Sequence, residues 1–193
     1  MRTISRVVGA ALVSGIVATT LASSARAEPI GKQGDISFSA DRLMGLYLFD
    51  QADSATVLGI GAAPLFAHPY TVPRLSVDGF VIDHLSVGGS LGIWVTDPNH
   101  GGSASGVLLA PRVGYAISFS NAFGFWPRGG FTFWSFGGND EFGLTMEAMF
   151  YGSPVEHFAF TFGPVIDIGI AGNGDHDRAH SIGIISGGIM GWI

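Results

Sequence analysis

The chain has 193 residues, no cysteine, 47% hydrophobic residues and only 12% charged ones, with nine Lys and Arg against fifteen Asp and Glu. Without cysteine there is no disulfide framework, no Cys-based metal site and no thiol chemistry. The acidity argues against nucleic acid or anionic phosphate ligands as partners.

Arg2 and Arg6 make a positive n-region, Val7–Leu21 an apolar h-region, and Ala25-Arg26-Ala27 an A-x-A cleavage site before Glu28. Residues 1–27 therefore read as a secretory signal peptide and 28–193 as the exported domain. Ser14, Thr19 and Thr20 dilute a stretch already shorter than the ~20 residues that a spanning helix needs. Removing Arg2, Arg6 and Arg26 leaves six basic residues, among them a single lysine, Lys32, against all fifteen acids. A soluble barrel of this size would carry charges on the polar parity of every strand, so a lipocalin-like carrier is disfavoured and an outer-membrane barrel preferred.

Eight strands are predicted after residue 27. The first covers about 34–49, its parity blurring after Arg42 as at a bulge. In the second, 74–82, Leu75, Val77, Gly79 and Val81 oppose Arg74, Ser76, Asp78 and Phe80. The third, 85–96, places apolar residues or Gly at odd positions (Leu85, Val87, Leu91, Ile93, Val95) and mostly Gly or Ser at even ones. The fourth, 107–119, sets Val107, Leu109, Pro111, Val113 and Tyr115 against Arg112, Gly114 and Ala116. The fifth, 123–135, sets Phe123, Phe125, Phe131 and Phe133 against Trp126, Arg128, Thr132 and Trp134. The sixth, 142–151, sets Phe142, Leu144, Met146 and Phe150 against Thr145, Glu147 and Met149. The seventh, 157–170, opposes Phe158, Phe160, Phe162 and Ile166 to Thr161, Gly163 and Asp167, and the eighth covers 181–193. A bulky apolar face backed by a small, polar one is the pattern of a transmembrane barrel strand, lipid outside and lumen inside. The fold expected is all-β, an eight-stranded antiparallel up-and-down transmembrane barrel.

The connections support this by alternating in length. Asp83-His84, Ser120–Ala122 and Gly152–Glu156 are short; 50–73, 97–106, 136–141 and 171–180 are longer and polar or Gly-rich. Short periplasmic turns with longer external loops are the asymmetry of bacterial barrels. Pro111, Pro127 and Pro164 fall mid-strand, where proline removes a ladder hydrogen bond; all lie on the outward parity, and each is expected to mark a bulge.

Three segments, Ser39-Ala-Asp-Arg-Leu43, Tyr70-Thr-Val-Pro-Arg-Leu75 and Val87-Gly-Gly-Ser-Leu-Gly92, resemble those of a group of uncharacterised outer-membrane barrel proteins. More broadly, the chain resembles small barrels of the OmpA/OmpX type. The likeness covers essentially the whole exported domain, and its motifs are structural. The terminal Gly188-Ile-Met-Gly-Trp-Ile193 is similar to the strand signal read by the barrel-assembly machinery, departing from it by ending in Ile. The resemblance implies insertion by that machinery into the bacterial outer membrane, among its lipids and lipopolysaccharide.

Candidate chemistry is sparse. Inward parity gathers Arg112, Arg128 and Glu147 in the lumen, joined by Asp41, Asp78 and Asp167. Centring the turns at Asn121 and near 138.5 puts Gly130 opposite both Arg112 and Glu147, with Arg128 one diagonal step away. A gate or proton path is one reading; a structural ion network filling a narrow lumen is preferred, because eight strands leave an interior just wide enough for side chains. Asp175, His176, Asp177 and His180 match no metal-ligand spacing. Ser120-Asn121-Ala122 echoes part of a lipid A deacylase motif but lacks its preceding His and sits at a predicted periplasmic turn. The function expected is a non-enzymatic barrel with a plugged polar lumen, no cofactor, and external loops meeting an unidentified surface ligand. The alternatives are a lipid A deacylase or acyltransferase-like enzyme and a small-solute channel.

Overall fold

The computed structural model describes residues 29–50, 55–60, 68–96, 104–173 and 179–193. The expected signal peptide (1–27) lies outside the described residues, as do Asp175, His176 and Asp177. Ten strands form one sheet: β1 Ile36–Asp50, β2 Ala55–Ile60, β3 Arg74–Ile82, β4 Leu85–Thr96, β5 Ala104–Tyr115, β6 Ile117–Ser118, β7 Phe123–Phe136, β8 Asn139–Val155, β9 Phe158–Gly172 and β10 His180–Trp192.

Each strand pairs antiparallel with its neighbours, and β10 returns to pair with β1 from Ser37↔Trp192 to Asp50↔His180, which closes the ring. Around that ring the ten strands make eight staves. β3 lies along Ile36–Asp41 of β1 while β2 lies along Met44–Phe49, so the two are halves of one interrupted stave. Likewise β5 and the short β6 both run against β7.

Side chains alternate as the parity requires. In β3, Arg74, Ser76, Asp78 and Phe80 are buried while Leu75, Val77 and Val81 are exposed; in β9, Ala159, Thr161, Gly163, Val165 and Asp167 alternate with exposed Phe160, Phe162, Ile166 and Ile168. The outer surface is aliphatic and aromatic to an extent far beyond the isolated apolar patches of soluble monomers, with Leu75 71% and Val95 69% exposed.

The core therefore lies inside the ring, in three tiers. At one end of the ring Ile30, Phe80, Trp126, Tyr151, Met190 and Trp192 pack together. Ile30 is seated there by a turn in which the Asp35 carboxylate accepts from the backbone N–H of Gly31 (3.0 Å) and Lys32 (2.9 Å). At the opposite end Tyr70, Val72, Trp94, Leu108 and Trp134 form a second apolar tier. Between them lies a charged middle tier.

Three details differ from the sequence expectation. The 136–141 link is a two-residue turn, Gly137-Gly138, with φ of +58° and +89°, and Phe136 pairs with Asn139. Such a primed hairpin turn matches the twist of its strands and needs positive φ at both positions, which glycine supplies. The 50–73 link contains β2, and its last residues, His68–Pro73, turn into the lumen around a single 3-10 turn, Pro69–Thr71, with Tyr70 and Thr71 fully buried. Pro111 and Pro127 mark no register shift: pairing stays in phase on both sides of each, with only the local ladder pairs missing. Pro164 alone faces a bulge, where Ile184 and Ile185 of β10 oppose it and both point outward.

Gly130 shows how tightly the wall is drawn. A Cβ there would collide with the Pro111 carbonyl oxygen and come within 2.7 Å of the Arg112 Cα, whereas one at Gly79 meets nothing within 4 Å. Overpacking of this kind costs roughly 1–3 kcal/mol. Gly130→Ala is expected to lower the unfolding free energy, read by urea titration in detergent, by about that amount, and Gly79→Ala to leave it nearly unchanged.

Candidate functional site

The middle tier begins with an irregularity in β1. Between Ala40↔Ile189 and Met44↔Gly187 the β1–β10 register slips, and Arg42 takes a left-handed backbone (φ 59°). Regular alternation would send Arg42 outward; the bulge turns it inward, so the consecutive residues Asp41 and Arg42 are both buried (2% and 1% exposed). On the other side of β1 the same point is where β3 gives way to β2. The lumenal turn His68–Pro73 leads into β3 there.

Arg42 reaches three elements. Its Nη1 and Nη2 form a two-pronged pair with Asp167 (2.7 and 3.0 Å), Nη2 also approaches Glu147 Oε1 at 3.4 Å, and Nη1 donates to the Tyr70 carbonyl. Arg112 forks onto Asp78 through Nε (3.0 Å) and Nη2 (2.6 Å), while its Nη1 meets Asp41 Oδ2 at 2.7 Å and Glu147 Oε2 at 3.3 Å. Arg128 lies 2.9 Å from Glu147 Oε2 and 3.5 Å from Asp41 Oδ1, with its guanidinium 5.0 Å from the centre of the Trp126 ring. The first of these contacts is Coulombic rather than a hydrogen bond, because the Arg128 Nε–H is not aligned with it. Hydroxyls complete the tier: Ser76 donates to Asp41 (2.7 Å), and Thr145, itself 2.6 Å from Thr132, donates to Asp167 (2.7 Å).

Arg112, Arg128, Glu147, Asp167, Asp78 and Asp41 all lie in this tier, each at most 7% exposed. Arg112 stands opposite Gly130, as the turn arithmetic places it. Glu147 does not: it stands opposite Arg128, and Thr145 faces Gly130. The Gly137-Gly138 turn centres the hairpin one residue earlier than expected, which moves every β8 partner and brings Arg128 from a diagonal neighbour to a direct one.

Four participants escape sequence reasoning. Parity places Arg42 outside, although the blurring of the pattern at that residue was its signal. Arg74 shares the inward parity of Ser76 and Asp78, and the structure buries it (2% exposed) with Nη2 donating to the Tyr70 carbonyl at 3.1 Å. Tyr70 and Glu141 meet above the tier: the Tyr70 hydroxyl donates to Glu141 Oε1 at 2.6 Å and the Ala179 N–H to Oε2 at 3.2 Å. Nothing in the strand pattern shows that a connecting segment enters the lumen.

Chemically the tier neutralises itself: four guanidinium groups, from Arg42, Arg74, Arg112 and Arg128, sit among the carboxylates of Asp41, Asp78, Glu147 and Asp167. Among the described residues no group of three His, Asp or Glu side chains is arranged to hold a metal ion. Ser120 is exposed at its turn, its Oγ accepting from the Ala122 N–H at 3.3 Å, and His180 is exposed at the start of β10.

The sequence matches no protein-family model and no curated protein. The structure, by contrast, superposes on solved outer-membrane proteins. It matches Neisserial surface protein A at a TM-score of 0.58 and 12% identity, over 82% of this chain and 99% of that one. The chain has the fold of the small outer-membrane β-barrels. It also matches the N-terminal barrel domain of Pseudomonas aeruginosa OprF (TM-score 0.52, 12% identity, 83% and 98% covered) and Ail, the attachment invasion locus protein of Yersinia pestis (0.51, 9%, 83% and 99%). At these identities the likeness concerns the barrel alone.

Two measurements bear on the tier and on the turn above it. Glu147 faces three guanidinium groups, so Glu147→Ala strands buried positive charge, a loss of about 3–5 kcal/mol. Glu156, exposed and only paired with His157 at 3.6 Å, is worth roughly 0–1 kcal/mol. Urea unfolding of the two alanine variants is expected to separate by several kcal/mol. The second concerns His68, outside the strands, whose Nδ1 accepts from the Tyr70 N–H at 3.2 Å and must be unprotonated to do so. Burial holds the imidazole down to about 4. Since the unfolded imidazole titrates near 6.5, only the unfolded chain takes up a proton between those values, so stability falls as pH drops from about 6.5 to 4. At pH 5 the loss amounts to about 2 kcal/mol, read as the difference between the parent chain and His68→Gln in urea titrations at pH 7 and pH 5.

Proposed function

We propose that the chain is an integral outer-membrane barrel without catalytic activity, its lumen plugged by its own side chains, acting in envelope integrity and through surface contacts of its loops. The observation that carries this reading is the neutralised charged tier held between two apolar tiers, inside a wall whose outer face is apolar. A surface that apolar is suited to hydrocarbon, and a lumen that crowded is not suited to flow. The neighbours support the general kind: two of them are described as a surface protein and an attachment invasion locus protein.

The short turns Asp83-His84 and Glu156-His157 lie at the end that holds Gly31 and Ile193, which fits the periplasmic side; Gly137-Gly138 lies at the other end. Outer-membrane lipids and lipopolysaccharide would then be the lateral partners, and the barrel-assembly machinery would read the β10 terminus during insertion. The channel alternative makes the opposite prediction about flow. Purified protein in planar bilayers is expected to give no large, steady conductance; porin-like steps from monomeric protein would overturn the plugged reading.

A further inference from the structure

The carboxylates of the middle tier are shared unequally. Asp167 is gripped by Arg42, Asp78 by Arg112, and Asp41 and Glu147 each by two or three guanidinium groups. Arg74 has none: among the described residues no carboxylate lies within 4.0 Å of it, and its one hydrogen bond runs to a backbone carbonyl. A buried guanidinium in contact with no carboxylate recovers less of its desolvation cost than its paired neighbours do.

Beside it lies a cavity of about 10 Å³ lined by Arg74, Ser90, Arg112, Arg128, Thr145 and Glu147, with wall backbone from β5 and β7 where the ladder opens at Pro111. The enclosed groups without hydrogen-bond partners on this lining are Arg74 Nε, Arg128 Nε, Arg128 Nη1 and Ser90 Oγ. Three of the four only donate, and the hydroxyl can. Water offers two lone pairs, too few for that set, whereas a monatomic anion accepts from all sides. The volume is on the scale of one small particle, which favours a monatomic ion over a larger anion. The single acid on the lining, Glu147, already has three guanidinium groups within 3.4 Å of its oxygens.

We propose that this cavity binds a single halide ion, chloride under physiological conditions, as the acceptor for the unpartnered donors of Arg74 and Arg128. The ion would be a structural component of the middle tier rather than a transported one, and the inference stands whether or not the lumen conducts. It is tested by folding the full exported chain into detergent in potassium bromide and collecting anomalous diffraction at the bromine edge. One peak is expected between Arg74 Nε and Arg128; a water molecule there with no anomalous signal overturns the proposal. In solution, urea unfolding is followed while chloride replaces gluconate at constant ionic strength. Once chloride exceeds its dissociation constant, the unfolding equilibrium constant is expected to fall about tenfold per tenfold rise in chloride. Ser90→Ala is expected to shift that dependence several-fold to higher chloride, and Arg74→Gln to abolish it. Stability of the parent chain that is indifferent to chloride overturns the proposal regardless of how either variant folds.

Discussion

Charge placed inside an eight-stranded ring has no water to retreat to, and the molecule is organised around balancing it. The inward turn of Arg42 decides the balance. On regular alternation this guanidinium would face outward, where an arginine at the midplane of a bilayer costs about 2–4 kcal/mol. A left-handed non-glycine residue costs roughly 1–2 kcal/mol, and in return Arg42 gains a two-pronged pair with Asp167 and ties down the Tyr70 carbonyl. The strained conformation is the cheaper of the two. The same bulge marks the point at which β1 changes partner from β3 to β2, so the ion network and the interruption of the second stave meet at one place in the chain.

The remaining interior is filled by a simple complementarity. Trp94 lies across from Gly106, Tyr151 from Gly124 and Tyr47 from Gly183, each pair in register on neighbouring strands, with the ring occupying the space that a side chain on the glycine would need. An aromatic residue covering a cross-strand glycine shields the bare backbone and lets the wall curve. These glycines thus have a reason distinct from turn formation: a lumen this narrow accommodates large residues only where their partners have none.

Parity alone gave strands β3, β4, β5 and β7 to β10 within a few residues, because one buried and one lipid-facing side leave a period of two with little room for exceptions. It also placed Asp41, Asp78, Arg112, Arg128, Glu147 and Asp167 inside. Parity failed where the backbone departs from alternation. Arg42 was hidden by a bulge, Glu147 was paired with the wrong residue because a two-glycine turn is shorter than a polar, glycine-bearing stretch implies, and Tyr70 was hidden because lumenal insertion of a link leaves no periodic trace. At Pro111 and Pro127 a missing N–H costs ladder bonds without displacing the register, since the strands on either side still hold it.

The interrupted second stave also couples two distant parts of the chain. β1 pairs with its sequence neighbours β2 and β3, but its other edge is completed by β10, about 140 residues away along the chain. Closing that seam carries the largest loop-entropy cost in the molecule and rewards it last. The turn around Tyr70 hangs from the stave beside the seam and contacts β8 and β9 through Glu141 and, by way of Arg42, Asp167. Seating that turn and closing the seam are therefore coupled, because the guanidinium that ties down the Tyr70 carbonyl is the one that grips Asp167 of β9 across the lumen.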